Sequence, residues 1–374
     1  MSTTTSLPNT PLLTTKNPAY NDEVQAAIFP TEIFDLVIDD LAASENRKTL
    51  LSCSLVSKSF HSRVKHHIFA TLQLLGGPQF QSEYNRKQKG WLQTLLHLLG
   101  ETDRLGTAGT VQTLVLGNIF KDVAQLFRPC WLLMDPTVPS ILCKLGGVKK
   151  FVFKNVVRTY RWTSFSEELS SAIRQICASP SLTSLELQNI TRFPDDLLPC
   201  SSNLESLSLI LTTIIWKPSE DDFTIFPASS NIVSLKNLKT LTVVIGAPFT
   251  NTAAECRLIL PNLCQLLQIK KSEPSRIRTI NITIGYETLF ECDENGDIDI
   301  EESKRQLEDF DAVLSCPKYS FLKAINLTVA CKKLGHSLDP KVQCHIDHYT
   351  KNILPVVRSM ASIKISIRMT DYAF

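Results

Sequence analysis

Leu182-Thr183-Ser184-Leu185-Glu186-Leu187-Gln188-Asn189 sets an apolar residue, two spacers, a second apolar residue, one spacer and a third apolar residue. The same spacing returns at Leu204, Leu207 and Leu209. Alternation across the second and third positions describes a short strand with one buried face, and the first position turns the chain into it. Upstream the pattern occurs at Phe69, Leu72, Leu74; at Val111, Leu114, Leu116; and at Val148, Phe151, Phe153. Downstream it occurs at Leu238, Leu241, Val243; Ile277, Ile280, Ile282; Leu322, Ile325, Leu327; and Met360, Ile363, Ile365. The second and third residues of each set from Leu114 onward are therefore expected to be buried.

The segments between these strands read as helices. Ser166 to Cys177 begins Ser-Glu-Glu and carries Leu169, Ile173 and Ile176 on one face. Glu302–Leu314 and Lys341–Met360 have the same character, with Pro355 expected to kink or end the second. Strands separated by helices over intervals of roughly 20 to 45 residues predict an α/β solenoid with a continuous parallel sheet. The pattern resembles leucine-rich repeats in a long, irregular form. Asn118, Asn155 and Asn189 stand two places after the third apolar residue, where that resemblance implies an amide paired with backbone of neighbouring turns. The later strands carry Leu211, Ile245, Ile284, Val329 and Ile367 there, so the ladder should be lost in the C-terminal half. A doubly wound α/β domain is the alternative, but no strand is followed by a glycine-rich phosphate loop.

Ahead of the repeats stands Ile28-Phe29-Pro30-Thr31-Glu32-Ile33-Phe34-Asp35-Leu36-Val37-Ile38. Pro30 suits a first helical turn, where its missing N–H costs nothing, and Glu32 suits the positive end of the helix dipole. Ile33, Phe34, Val37, Ile38 and Leu41 form an apolar stripe, and Leu50, Leu51, Leu55, Val56 and Phe60 form a second, with Lys58, Arg63 and Lys65 on the wet side. About forty residues rarely bury enough area to fold alone, so this surface needs either a larger domain or a partner. Phe29-Pro30-x-Glu32-Ile33, followed by Cys53-Ser54-Leu55-Val56-Ser57-Lys58-Ser59-Phe60, resembles the F-box, over residues 28 to 68. The resemblance implies docking on the Skp adaptor of cullin-RING ubiquitin ligases through Phe29, Pro30, Ile33, Phe34, Val37, Leu51, Leu55 and Val56. It departs from the family at Phe29, where leucine is usual, and at Lys48-Thr49. The chain then divides into a tail (1–27) expected to be disordered, an F-box-like helical unit (28–68) and a leucine-rich-repeat-like solenoid (69–374).

Composition narrows the function classes. Lys and Arg total 39 against 37 Asp and Glu, a net charge of +2, which argues against a nucleic-acid partner or a polybasic membrane surface. No apolar run has the roughly 18 residues a membrane span needs, and residues 1–20 lack a signal-peptide pattern. Eleven cysteines without CxxC pairs read as reduced, buried groups, and with the other features predict a cytoplasmic or nuclear protein. Glu291-x-Asp293-x-Asn295-Gly296-Asp297-Ile298-Asp299-x-x-Glu302 has features of a calcium loop, but Glu replaces Asp at its first position and a strand precedes it. An acidic loop capping a helix is the simpler reading. Cys331, His336, Cys344, His345 and His348 match no zinc module. Neither carries a metal assignment, and no cofactor is expected. Nucleophile elbows, Walker loops and His-Glu-x-x-His helices are all missing, so the chain reads as a binding protein and not an enzyme.

These readings converge on a substrate-recognition subunit, joined to a Skp adaptor and through it to a cullin, that holds an unidentified client protein. A scaffold without a role in ubiquitination, or an enzyme with an unrecognised site, stays open beside it. Client contacts are expected from Lys150, Lys154 and Glu186 on the open strand face and from the loops bearing Tyr160, Arg161, Trp162 and Trp216. Burial of either tryptophan as a loop anchor would remove it from that set.

Overall fold

The computed structural model describes residues 31–44, 46–76, 82–101, 107–118, 131–155, 160–191, 202–211, 235–245, 274–285, 300–331 and 364–371, with isolated positions between them. The chain divides into two compact units, Met1–Val64 and Lys65–Phe374. Helices α1 (Thr31–Ala43) and α2 (Arg47–Ser54) belong to the first, and α3 (Lys58–Phe69) spans the boundary. The second contains β1 (Thr71–Gly76), α4 (Ser82–Glu101), α5 (Thr107–Thr110), β2 (Thr113–Asn118), α6 (Trp131–Met134), α7 (Thr137–Lys144) and β3 (Lys150–Asn155). After these come β4 (Tyr160–Arg161), α8 (Glu167–Cys177), β5 (Ser184–Gln188), β6 (Ile190–Thr191), β7 (Ser206–Leu211) and β8 (Thr240–Ile245). The last are β9 (Thr279–Gly285), α9 (Ile300–Leu314), β10 (Ala324–Cys331) and β11 (Lys364–Asp371). Among the described residues no helix is long and apolar enough to cross a membrane.

The second unit is α/β, built on a nine-stranded sheet in the order β1-β2-β3-β5-β7-β8-β9-β10-β11. Every neighbouring pair is parallel. Strand order follows chain order throughout, so the sheet lacks the reversal that creates the crevice of a doubly wound fold. Sequence spacing becomes spatial register. Leu114, Phe151, Leu185, Leu207, Leu241, Ile280 and Ile325 lie side by side, as do Leu116, Phe153, Leu187, Leu209, Val243, Ile282 and Leu327. None of these is more than 3 % exposed. The leading positions Val111, Val148, Leu182, Leu204, Leu238, Ile277 and Leu322 are buried with them. Phe69 differs: it closes α3 and is 39 % exposed.

The last strand corrects one reading. Ile325 pairs with Ile365 and Leu327 with Ile367, not with Ile363 and Ile365. Ile363, Ile365 and Ile367 alternate, and a two-residue slip leaves the same face inward, so the apolar pattern could not choose between the registers.

Repeated turns lock the strands together. Lys149 and Lys150 both donate their backbone N–H to Gln112 O (2.8 and 2.9 Å), Thr183 and Ser184 to Lys149 O, and Glu205 and Ser206 to Thr183 O. Helix α8 forms where its stripe predicted: Ser166 Oγ accepts from Leu169 N at 3.2 Å, and Leu169, Ile173 and Ile176 are buried. Helix α9 starts two residues before Glu302 and buries Phe310 and Leu314. The segment expected to be helical over Lys341–Met360 lies outside the described residues apart from Pro355 and Ser359.

One contact of the expected amide ladder is present among the described residues. Asn155 and Asn189 are fully buried, and Asn189 Nδ2 donates to Asn155 O at 2.6 Å. Asn189 has φ 55°, a left-handed conformation that Asn tolerates better than branched residues. It turns the chain out of the sheet while its backbone N–H reaches Ile210 O (2.7 Å) and its carbonyl accepts from Tyr160 N (2.9 Å). The side chain of Asn118 lies outside the described residues. Gly117 is required nearby: β2 and β3 approach so closely there that a Cβ would collide with the Lys154 carbonyl.

Candidate docking surface

The first unit builds its site from three short helices. Asn46 caps α2, its side chain accepting from Thr49 N at 3.2 Å, and Ser57 Oγ accepts from Phe60 N at the start of α3, also at 3.2 Å. Ile38, Leu50 and Val64 are the buried apolar residues of these helices, none more than 5 % exposed. Phe34 is half-buried and packs its ring on Phe60 with centroids 5.1 Å apart. Arg63 grips Asp39 with two bonds, Nε to Oδ1 at 3.0 Å and Nη2 to Oδ2 at 2.5 Å, and Asp35 lies 3.8 Å from the same guanidinium. The bond to Asp39 raises the Arg63 pKa above its ordinary value.

One apolar face of α1 is thus turned inward, through Phe34, Ile38 and the half-buried Leu41. A second remains outside. Ile33 is 46 %, Leu36 68 % and Val37 53 % exposed, and their i, i+3, i+4 spacing puts them on one side of the helix. On α2 and the turn after it, Leu51 is 48 %, Leu55 87 % and Val56 70 % exposed. A unit this small has little core to lose, yet it shows six aliphatic side chains to solvent. Covering them would supply on the order of 6–12 kcal/mol of apolar transfer free energy, before the cost of association is subtracted.

Of the residues expected to dock, Ile33, Val37, Leu51, Leu55 and Val56 are exposed, and Phe34 is partly taken up by Phe60. Phe29 and Pro30 lie outside the described residues. The sequence reading passed over Leu36, although it follows Ile33 at helical spacing. It also placed Arg63 on the wet side, where the structure gives it a bidentate partner.

The client-facing set in the second unit needs a correction. Trp162 is 6 % and Tyr160 8 % exposed, so neither can serve as a surface contact. Phe165 draws both inward: its ring lies 5.6 Å from Trp162, 6.1 Å from Tyr160 and 5.5 Å from Phe153. The Arg174 guanidinium covers the Trp162 ring at 6.0 Å. The short pairing of β4 with β6 holds Tyr160 beside Ile190. Aromatic area is thereby packed into the core beside β3. Arg161, Lys150 and Lys154 are exposed and Glu186 is half-buried, opposite Val152 in register. Trp216 lies outside the described residues, as do most of the acidic segment 291–302 and the Cys331–His348 cluster.

Two buried groups have perturbed acidity. Burial pushes the Cys264 thiol up to about 12, and burial also raises Tyr319, whose hydroxyl donates to Leu267 O at 2.6 Å. A thiol held protonated is the opposite of an activated nucleophile. Among the described residues no group of three or more His, Cys, Asp or Glu is placed to hold a metal ion. Comparison with protein-family models, with curated proteins and with solved structures finds no significant match to this chain.

Proposed function

We propose that the chain is the substrate-recognition subunit of a Skp-cullin-F-box ubiquitin ligase. Its first unit docks on the adaptor, and its second, an irregular leucine-rich-repeat-like array, holds a client protein. The observation that carries the reading is the outward apolar face of Ile33, Leu36, Val37, Leu51, Leu55 and Val56 on helices whose sequence resembles the F-box. Large apolar side chains left exposed in this number on a small unit mark an interaction site. The sequential parallel sheet supports the second half of the reading, since sequential strands in one sheet are the arrangement a repeat array produces.

The test is co-purification. The intact chain should bring down a Skp adaptor and a cullin, and a Leu55→Asp plus Val56→Asp variant should lose both. These side chains are mostly exposed, so the variant should keep the unfolding midpoint of the parent. Equal recovery of the adaptor by parent and variant would overturn the assignment.

A further inference from the structure

The turns that enter β8, β9 and β10 are basic on three consecutive strands. Residues 235–240, 274–279 and 317–324 contain Lys236, Lys239, Arg276, Arg278, Lys318 and Lys323 and no acidic residue, in a chain whose charges nearly cancel. The backbone stacks three of these cations on successive rungs. Lys239 and Thr240 donate to Glu205 O, Arg278 and Thr279 to Lys239 O, and Lys323 and Ala324 to Arg278 O, all between 2.8 and 3.1 Å. Lys239, Arg278 and Lys323 are exposed. Neighbouring strands lie about 4.8 Å apart, a separation at which like charges on adjacent rungs repel. Folding alone gives no reason to keep such a row.

The first rung shows the chemistry that relieves it. Lys239 Nζ binds Glu205 Oε1 at 2.5 Å, a carboxylate supplied by the preceding turn. Among the described residues Arg278 and Lys323 take part in no ion pair, while Phe321, 49 % exposed, offers an apolar contact in the same turn as Lys323. We propose that the row Lys239, Arg278, Lys323 at the N-terminal edge of β8–β10 binds an acidic peptide segment of a partner protein, whose carboxylates repeat the Glu205 contact on the next rungs. A nucleic acid fits less well. The row is short, it ends at a carboxylate, and its one exposed aromatic is no stacking platform. The proposal deepens the client-receptor reading by naming the chemistry of the client, but its test needs no adaptor, so the two fail separately.

The probe is a fluorescein-labelled peptide of alternating glutamate and serine, titrated into the purified full-length chain and followed by fluorescence anisotropy at low and moderate salt. Binding should weaken as salt rises, because exposed charges are screened. Arg278→Glu plus Lys323→Glu should weaken it about tenfold or more, Arg278→Gln plus Lys323→Gln by less, and Lys144→Glu, exposed in the last turn of α7, should leave it unchanged. The glutamine pair guards against misfolding caused by the new acids. Three results would overturn the proposal: no binding by the parent chain, equal binding by the charge-reversed variant, or tighter binding of a single-stranded oligothymidylate of equal charge.

Discussion

The two halves of the sheet solve the end of a strand differently. At β3 and β5 the row two places past the third apolar residue is amide: Asn155 and Asn189 are fully buried, and Asn189 Nδ2 donates to Asn155 O. At β8 and β9 the same row is Ile245 and Ile284, 2 % and 1 % exposed. Amides then reappear on the opposite face, where Asn281 Nδ2 donates to Thr242 Oγ1 (3.1 Å) and Asn326 Nδ2 to Asn281 Oδ1 (2.7 Å). The contrast reaches the backbone at β5, which ends at Gln188 where Asn189 turns away, while β3 still runs to Asn155 and β9 and β10 continue through Ile284 and Val329. An apolar side chain gains by continuing the buried row. A buried amide must find backbone partners, and the nearest are in the turns.

The largest effect should come from breaking the N-terminal solution. Asn189→Val removes the donor to Asn155 O and forces a branched residue into the left-handed region, at a cost of about 3–5 kcal/mol. Urea unfolding checks this, with Asn281→Ala on the half-exposed ladder expected to cost about 1 kcal/mol or less. A loss at Asn189 no greater than that at Asn281 would contradict the contrast.

Importing the amide into the other half should cost somewhat less. Ile284→Asn buries a polar group among apolar neighbours, about 2–4 kcal/mol. Ile245 and Ile284 are partners in register, so the double change Ile245→Asn plus Ile284→Asn lets the amides meet. The double-mutant cycle should therefore show a total below the sum of the singles. Strict additivity would mean that the row, once apolar, cannot accept a ladder.

A smaller effect separates the halves by pH. The Cys264 thiol is raised by burial from 9.0 to about 12. The folded state keeps the proton that the unfolded state gives up above pH 9.0, so this contribution is whole below that pH and declines as pH rises toward 12. One pH unit above 9.0 the loss is about 1 kcal/mol, and Cys264→Ala should remove that slope from a series of thermal midpoints. Tyr319, also raised, adds a decline of the same sign at higher pH. An identical slope in the variant would assign the effect elsewhere.

Most of the sheet was legible because burial at period two, repeated in register, leaves few other arrangements for Leu114 to Leu327. Asn155 and Asn189 were legible for a similar reason, since an amide recurring at a fixed offset from buried strand positions has backbone within reach. The β11 register was not, because three alternating isoleucines satisfy either pairing. Trp162 and Tyr160 misled for a physical reason: aromatics suit interfaces and cores alike. What decided between them was Phe165, a residue that only the folded chain brings alongside. In the first unit the apolar excess was visible, but the division of α1 into an inward face at Phe34 and Ile38 and an outward one at Ile33, Leu36 and Val37 depends on how α1 packs with α2.

The account rests on that outward face, and calorimetric titration of the purified chain with a purified Skp adaptor addresses it most directly. Burial of six aliphatic side chains should give saturable binding with a negative heat-capacity change, and Leu55→Asp plus Val56→Asp should abolish both. A parent chain that releases no heat with the adaptor at any temperature and forms no complex by size-exclusion chromatography would contradict the account. So would a variant that binds as the parent does.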